Sequence, residues 1–235
     1  MRIGLAVYEF KNGDMSFNLS QMERAAADAA GRADLLCFGE SFLQGFDALT
    51  WQYDHDRAMA VTPDSPAMRY LKALTVRYGV DLLFGYTERD GESLYSSCAV
   101  LSGGAMLHNY RRISRGWKEF DITDGHYCEG TSTEPFCYRG RTVQIALCGD
   151  LWDFPERFVT DGLLIWPVYL TLTAEDWADA VAEYAAQAKQ AARETLMVNS
   201  LSSDPVSHGG AFHFVDGVIA ERLDFDREGI LIVEV

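Results

Sequence analysis

The sequence predicts an α/β fold in which sheets are covered by helices, and three observations predict it. Apolar runs of strand length alternate, from one end of the chain to the other, with longer segments whose apolar residues recur at helical spacing. Hairpin signals are interleaved among them, so the order is mixed and points to layered sheets. The chain has 235 residues, 48% of them hydrophobic, enough to fill one sizeable core. It carries no linker, low-complexity tract or strict repeat, so a single domain over residues 1–235 is expected.

The elements run in this order. Residues 3–8 are a short apolar strand, closed by the loop residues Lys11-Asn12-Gly13-Asp14. Leu19, Met22, Ala26 and Ala29 predict a helix from Asn18 to about Arg32. A strand over residues 34–38 stops at Gly39. Ser65-Pro66 starts the next helix, with serine as cap and proline at the first helical position, and Gly79 ends it. Strands over 80–86 and 94–101 come next, and Ser102-Gly103-Gly104 turns the chain into another over 105–111. The second half repeats the theme. Strands over 142–147 and 162–166 end at Cys148-Gly149 and Pro167. Thr173 caps a long helix with the stripe Trp177, Val181, Tyr184, Ala188 and Ala192. A strand over 195–199, a hairpin over 211–220 around Asp216-Gly217 and a last strand over 230–235 complete the chain.

Composition narrows the partners. The formal charge is −15, which repels nucleic acid phosphates and anionic membrane surfaces, so a small-molecule substrate or another protein is the expected partner, with no nucleic acid and no membrane. The five cysteines are odd in number, include no CxxC pair and have no zinc-ligand spacing with the histidines. Together with a first strand that begins at once and the lack of an apolar stretch of spanning length, this predicts a reduced, cytoplasmic setting. None of His55, His108, His126, His208 and His213 has a partner at metal or Ser-His-Asp spacing. No metal or cofactor site is expected.

Two apolar strands each run into a short polar elbow: Leu35-Leu36-Cys37-Phe38-Gly39-Glu40-Ser41 and Ile145-Ala146-Leu147-Cys148-Gly149-Asp150. Reactive residues often sit at strand ends, where the strand fixes them and the loop opens the site. Glu40 and Cys148 are therefore candidates to face each other across a pocket. A thiol acts as nucleophile only as thiolate, which needs a nearby base or cation. Taken singly, a strand-end cysteine is more often a packed small hydrophobe, and a lone glutamate a surface carboxylate.

The combination resembles the carbon–nitrogen hydrolase (nitrilase) superfamily. Phe38-Gly39-Glu40-Ser41-Phe42-Leu43-Gln44-Gly45-Phe46 resembles its phenylalanine-proline-glutamate block, with Gly39 in place of proline. Tyr110-Arg111-Arg112 resembles the tyrosine-arginine-lysine block, and His126-Tyr127-Cys128-Glu129-Gly130 the segment after it. Cys148-Gly149-Asp150-Leu151-Trp152-Asp153-Phe154-Pro155-Glu156 is similar to the nucleophile block, especially that of the glutaminase domains of glutamine-dependent NAD synthetases. Trp166-Pro167, Asn199 and the segment from Gly209-Gly210 to Asp216-Gly217 fall in the family's order, so the resemblance covers nearly the whole chain.

The resemblance implies a four-layer α-β-β-α sandwich, a homodimer or larger homo-oligomer, and a glutamate–lysine–cysteine triad without metal or organic cofactor. Glu40 would be the general base and Cys148 the nucleophile that forms a thioester, which water hydrolyses. The lysine position is Arg112, and the nearest lysine is Lys118. Either Lys118 enters from the loop, or Arg112 supplies the charge directly, or the triad is broken; arginine for lysine is not a conservative exchange. Glu119 is a further carboxylate candidate, and Trp152 a pocket-lining one. Asp150 is read as a loop-bonding residue and not as a proton carrier. The expected activity is hydrolysis of a non-peptide C–N bond, in a small linear amide or an N-carbamoyl compound, with nitriles a lesser expectation. The alternative is a catalytically degenerate sandwich that binds a ligand or serves as an interaction subunit. A flavodoxin-like nucleotide binder is disfavoured, because no glycine-rich turn comes after the first strand.

Overall fold

The computed structural model describes residues 1–235, apart from the side chains of Ala174 and Ala178. Strand β1 (Arg2–Val7) and the short β2 (Glu9–Phe10) lead into helix α1 (Met15–Ala29). This helix starts before the predicted Asn18, because Asp14 caps it by accepting from the Phe17 amide at 2.9 Å. Asn18 is instead a buried helical residue whose amide group bonds the Lys11 and Leu43 backbones. After β3 (Leu35–Cys37) comes α2 (Tyr53–Met59), which the sequence did not signal. Helix α3 (Pro66–Tyr78) has the expected Ser65 cap and ends at Gly79 in the left-handed region, φ 65°.

Strands β4 (Asp81–Asp90), β5 (Ser93–Ser102) and β6 (Ala105–Arg111) form an antiparallel meander, turned by Gly103 and Gly104 as expected. The second half contains β7 (Phe136–Tyr138), β8 (Arg141–Ile145), the one-turn α4 (Asp150–Asp153) and β9 (Thr160–Val168). Helix α5 (Ala174–Ala191), capped by Thr173, passes straight into β10 (Ala192–Ser203), so Ala192 belongs to the strand and not to the helical stripe. The hairpin of β11 (Val206–Val215) and β12 (Val218–Leu223) and the last strand, β13 (Gly229–Glu234), complete the chain.

The strands make two sheets. One is six-stranded in the order β13-β1-β3-β4-β5-β6; the other is seven-stranded, in the order β12-β11-β10-β9-β8-β7 with β2 added on β10. Each has parallel strands at its centre, β1, β3 and β4 in one and β8, β9 and β10 in the other, flanked by antiparallel ones. Alternation along a strand sends successive side chains to opposite faces, and β3 illustrates it. Leu35 and Cys37 pack toward the other sheet, with Leu5, Leu83, Val143 and Ile145. Leu36 and Phe38 pack toward α1 and α3, with Met22, Ala26, Met68 and Leu71. On the far side, Trp177, Val181, Ala185 and Ala188 of α5 cover the second sheet. The layers are therefore helix, sheet, sheet, helix: the four-layer α-β-β-α sandwich. A third, small cluster of Leu49, Trp51, Tyr53, Leu94, Trp117 and Tyr127 joins the segment around α2 to the loop after β6. Among the described residues, no helix is long and apolar enough to cross a membrane.

Candidate active site

Both polar elbows leave the carboxyl ends of parallel strands, one from each sheet, and β9 holds them together. The Cys148 amide donates to the Pro167 carbonyl at 3.0 Å, and the Glu40 amide donates to the Val168 carbonyl at 3.2 Å. Two neighbouring carbonyls at the end of one strand thus fix the two residues that the sequence pairs. The Glu40 elbow is also tied to β4: Gln44 bonds the Thr87 amide and carbonyl through its side chain, at 3.0 and 3.1 Å. Gly85 is needed where that elbow passes, because a Cβ there would run into the backbone of Glu40 and Ser41. Gly39, which stands where the family pattern has proline, packs similarly against Ser200 and the Val168 carbonyl.

Each elbow contains a non-glycine residue in the left-handed region, Ser41 at φ 51° and Cys148 at φ 41°. Such strain persists only where the surroundings over-determine the backbone. At Cys148 they do: the Trp166 indole donates to its carbonyl at 2.9 Å, and Asp150 ties the elbow down on its other side. Asp150 is fully buried and accepts four hydrogen bonds, from the Tyr110 hydroxyl (2.6 Å) and the amides of Leu147 (2.8 Å), Ser114 (2.8 Å) and Ile113 (3.1 Å). Its role is to fasten the end of β6 to the Cys148 elbow, which agrees with a loop-bonding residue.

That fastening brings Arg112 into the site. Its Nη1 donates to Glu40 Oε1 at 2.8 Å and its Nε to Ser114 Oγ at 2.7 Å. The pair is enclosed, with Arg112 3% and Glu40 0% exposed, and the Ser96 hydroxyl adds a bond to the same Glu40 oxygen at 3.2 Å. Glu40 Oε2 is buried with no partner among the described residues. Arg112 Nη2 and the Gly149 amide likewise make no hydrogen bond among the described residues.

Cys148 is half-buried as a residue, and its sulfur lies 3.9 Å from the Tyr169 carbonyl. Burial, then the negative charge of Glu40, push its thiol up to about 12, against the opposing pull of Arg112. Burial works against the Arg112 charge, but Glu40, a Cys148 thiolate and Asp150 more than offset it, and the guanidinium is held above its usual range. The amide of Asn199 bonds both the Leu170 amide and carbonyl, at 3.0 and 3.1 Å, fixing the loop after β9.

The other sequence candidates make no hydrogen bond to Glu40 or Cys148 among the described residues. Lys118 pairs with Glu129 Oε1 at 2.7 Å and donates to the Tyr127 carbonyl; neither bond is to Glu40 or Cys148. Glu119 is an exposed loop residue. Trp152, 43% exposed, stands edge-on to Tyr184 at 5.1 Å and 6.4 Å from Trp166, the residue whose indole holds the Cys148 carbonyl. Sequence reasoning misses Ser96 and Ser114, and marks Trp166 only by the family's order without its bond to the Cys148 carbonyl; serines at a strand position and after a strand end carry no signal of their own. Among the described residues, no group of three or more His, Cys, Asp or Glu is placed to hold a metal ion.

Comparison with known proteins bears on this geometry. The carbon-nitrogen hydrolase family profile matches residues 2–235. A nitrilase of Talaromyces marneffei is 30% identical over 111 residues, 43% of this chain and 34% of that protein. An (R)-stereoselective amidase of a Pseudomonas species is 26% identical over 158 residues, 66% of this chain and 54% of that protein. The matched chain thus spans about half or less of the length of these curated relatives. Among solved structures, an amidase from Nesterenkonia superposes with a TM-score of 0.80 at 20% identity, covering 100% of this chain and 90% of that one. Four layers, two strand-end elbows and a profile match along nearly every residue lead to one assignment: the chain belongs to the carbon–nitrogen hydrolase family.

Proposed function

We propose that this protein hydrolyses a non-peptide carbon–nitrogen bond in a small linear amide or N-carbamoyl compound, with Cys148 as nucleophile, Glu40 as general base and Arg112 as the cation of the site. The observation that carries the reading is the buried Glu40–Arg112 pair beside Cys148, in which one carboxylate oxygen is engaged and the other, Oε2, is left free. A buried carboxylate oxygen without a donor is costly and is suited to accept a proton.

The thiol's high pKa decides how that proton moves. With the group near 12, free thiolate is scarce at neutral pH, so Glu40 takes the proton as sulfur attacks the carbonyl carbon. The carbonyl π electrons move to oxygen, and the developing negative charge is met by Arg112 Nη2 and the Gly149 amide, the two donors without a partner at the elbow. When the intermediate collapses, the C–N bond breaks, protonated Glu40 gives its proton to the departing nitrogen, and a Cys148 thioester remains. Water then enters, Glu40 removes its proton, and the carboxylic acid leaves as the thiol is restored. The net change is amide plus water to acid plus amine or ammonia; for an N-carbamoyl compound the acid released is carbamic acid, which breaks down to carbon dioxide and ammonia, leaving the amine.

Arg112 fits the cation's role because its pairing with Glu40 is direct, whereas Lys118 is engaged with Glu129. The test is ammonia or amine release from a panel of small amides and N-carbamoyl compounds, with the acyl-enzyme sought by intact mass. Cys148→Ala is expected to abolish both. Release that persists in that variant would overturn the mechanism. Ligand binding without turnover across the panel would leave the degenerate sandwich as the better reading.

A further inference from the structure

We propose that Gly149 is a positioning residue: the side chain it lacks is the space that the Arg112 guanidinium occupies, so this site is built for arginine and not for an ammonium. The backbone gives no reason for glycine at 149. Its φ and ψ are −63° and −13°, an ordinary right-handed conformation that any residue adopts, and it directly precedes a helical turn. Space gives the reason. A Cβ on Gly149 would stand 2.5 Å from Arg112 Nη2 and 3.6 Å from its Cζ. A second glycine, Gly116, faces the same nitrogen, where a Cβ would stand 3.2 Å away.

The guanidinium has no retreat. Nη1 is held by Glu40 at 2.8 Å, Nε by Ser114 at 2.7 Å, and the side chain is 3% exposed. A methyl group at 149 would therefore break one of those bonds. A lysine ammonium carries one nitrogen where arginine carries a fork, so it would leave the Nη2 space empty and tolerate the methyl. The fork also divides the work: Nη1 holds the general base while Nη2 stays free at the elbow. A single ammonium would have to share itself between the two.

This inference rests on the reading of Arg112 as the site's cation, but its test needs no substrate. The rate of Cys148 alkylation by iodoacetamide at pH 8, followed by peptide mass spectrometry, is measured for wild type, G149A, R112K and R112K/G149A, with melting temperatures alongside. A guanidinium displaced from the thiol raises the thiol's pKa, and one unit is about tenfold less thiolate. G149A is expected to slow alkylation by about tenfold or more relative to wild type, while the same alanine costs R112K less than about twofold; a ratio of the two effects above about fivefold marks the coupling. A smaller ratio, with alanine costing alike in both backgrounds, overturns the proposal and makes Gly149 a plain turn residue. If G149A fails to fold while R112K/G149A folds, the proposal stands; if the double variant fails to fold, it falls. Failure of Cys148-dependent amide hydrolysis would sink the proposed function and leave this coupling to be judged on its own.

Discussion

Replacing Asp150 by asparagine tests the joint between β6 and the Cys148 elbow. Asp150 Oδ1 accepts the Ile113 and Ser114 amides, and Oδ2 accepts the Leu147 amide and the Tyr110 hydroxyl. Asparagine retains one acceptor oxygen. Its best orientation keeps the two amides on that oxygen and turns NH2 toward Leu147 and Tyr110; the tyrosine hydroxyl can rotate to accept, but the Leu147 amide cannot. One buried N–H is then orphaned, at about 1–3 kcal/mol, and the two surviving bonds fall from charged to neutral strength, at roughly another 1 kcal/mol each. The expected loss is about 3–5 kcal/mol. Tyr110→Phe removes a single bond and leaves the carboxylate three donors, so about 1–2 kcal/mol is expected. For a chain of this length these correspond to Tm decreases of roughly 6–20 °C and 2–8 °C. Urea unfolding followed by circular dichroism, with thermal melts, gives both numbers. An Asp150→Asn variant within about 1 kcal/mol of wild type, or a Tyr110→Phe variant the less stable of the two, would refute the four-bond hub.

Two further outcomes are expected. Glu40→Gln keeps a hydrogen-bonding group beside Arg112 but removes the proton acceptor, so hydrolysis of any substrate found should fall by roughly 10²–10⁴; a rate within about tenfold of wild type would take Glu40 out of the proton path. Thiol labelling should follow burial and pH. Cys137 is exposed and Cys128 half-buried, so both label in the native protein, while Cys37 and Cys98 between the sheets label only after unfolding. Cys148 holds its proton to about 12, so its alkylation rate should climb about tenfold per pH unit through the range from 8 to 10 without levelling; a plateau below pH 9 in peptide-resolved rates would contradict the burial and Glu40 charge assigned to it.

The layers were legible because their signals are local. Alternating apolar runs, the Ser65-Pro66 start, the Thr173 cap and the glycines at 79, 103, 104 and 217 mark their elements by chemistry that acts within a few residues. Glu40 and Cys148 were legible because each ends an apolar run at a polar elbow. Contact across distance was not legible. Whether Lys118 or Arg112 reaches the Glu40 carboxylate depends on how the loop after β6 is pulled down by Asp150, through bonds spanning 37 and 36 residues of chain. Ser96 and Trp166 act on the site only through sheet register, which no local pattern encodes. Short elements such as α2 and β7 lack the length for periodicity to register.

The backbone of Cys148 carries a cost as well as a sulfur. A side chain held at φ 41° sits in a conformation that disfavours any residue but glycine by roughly 1–2 kcal/mol. Selection for stability alone would favour exchanging this residue for glycine and letting the turn relax, while the role proposed for its thiol opposes that exchange. The two demands pull in opposite directions at one position, and a stability-guided redesign of this chain would erase the proposed nucleophile among its first improvements.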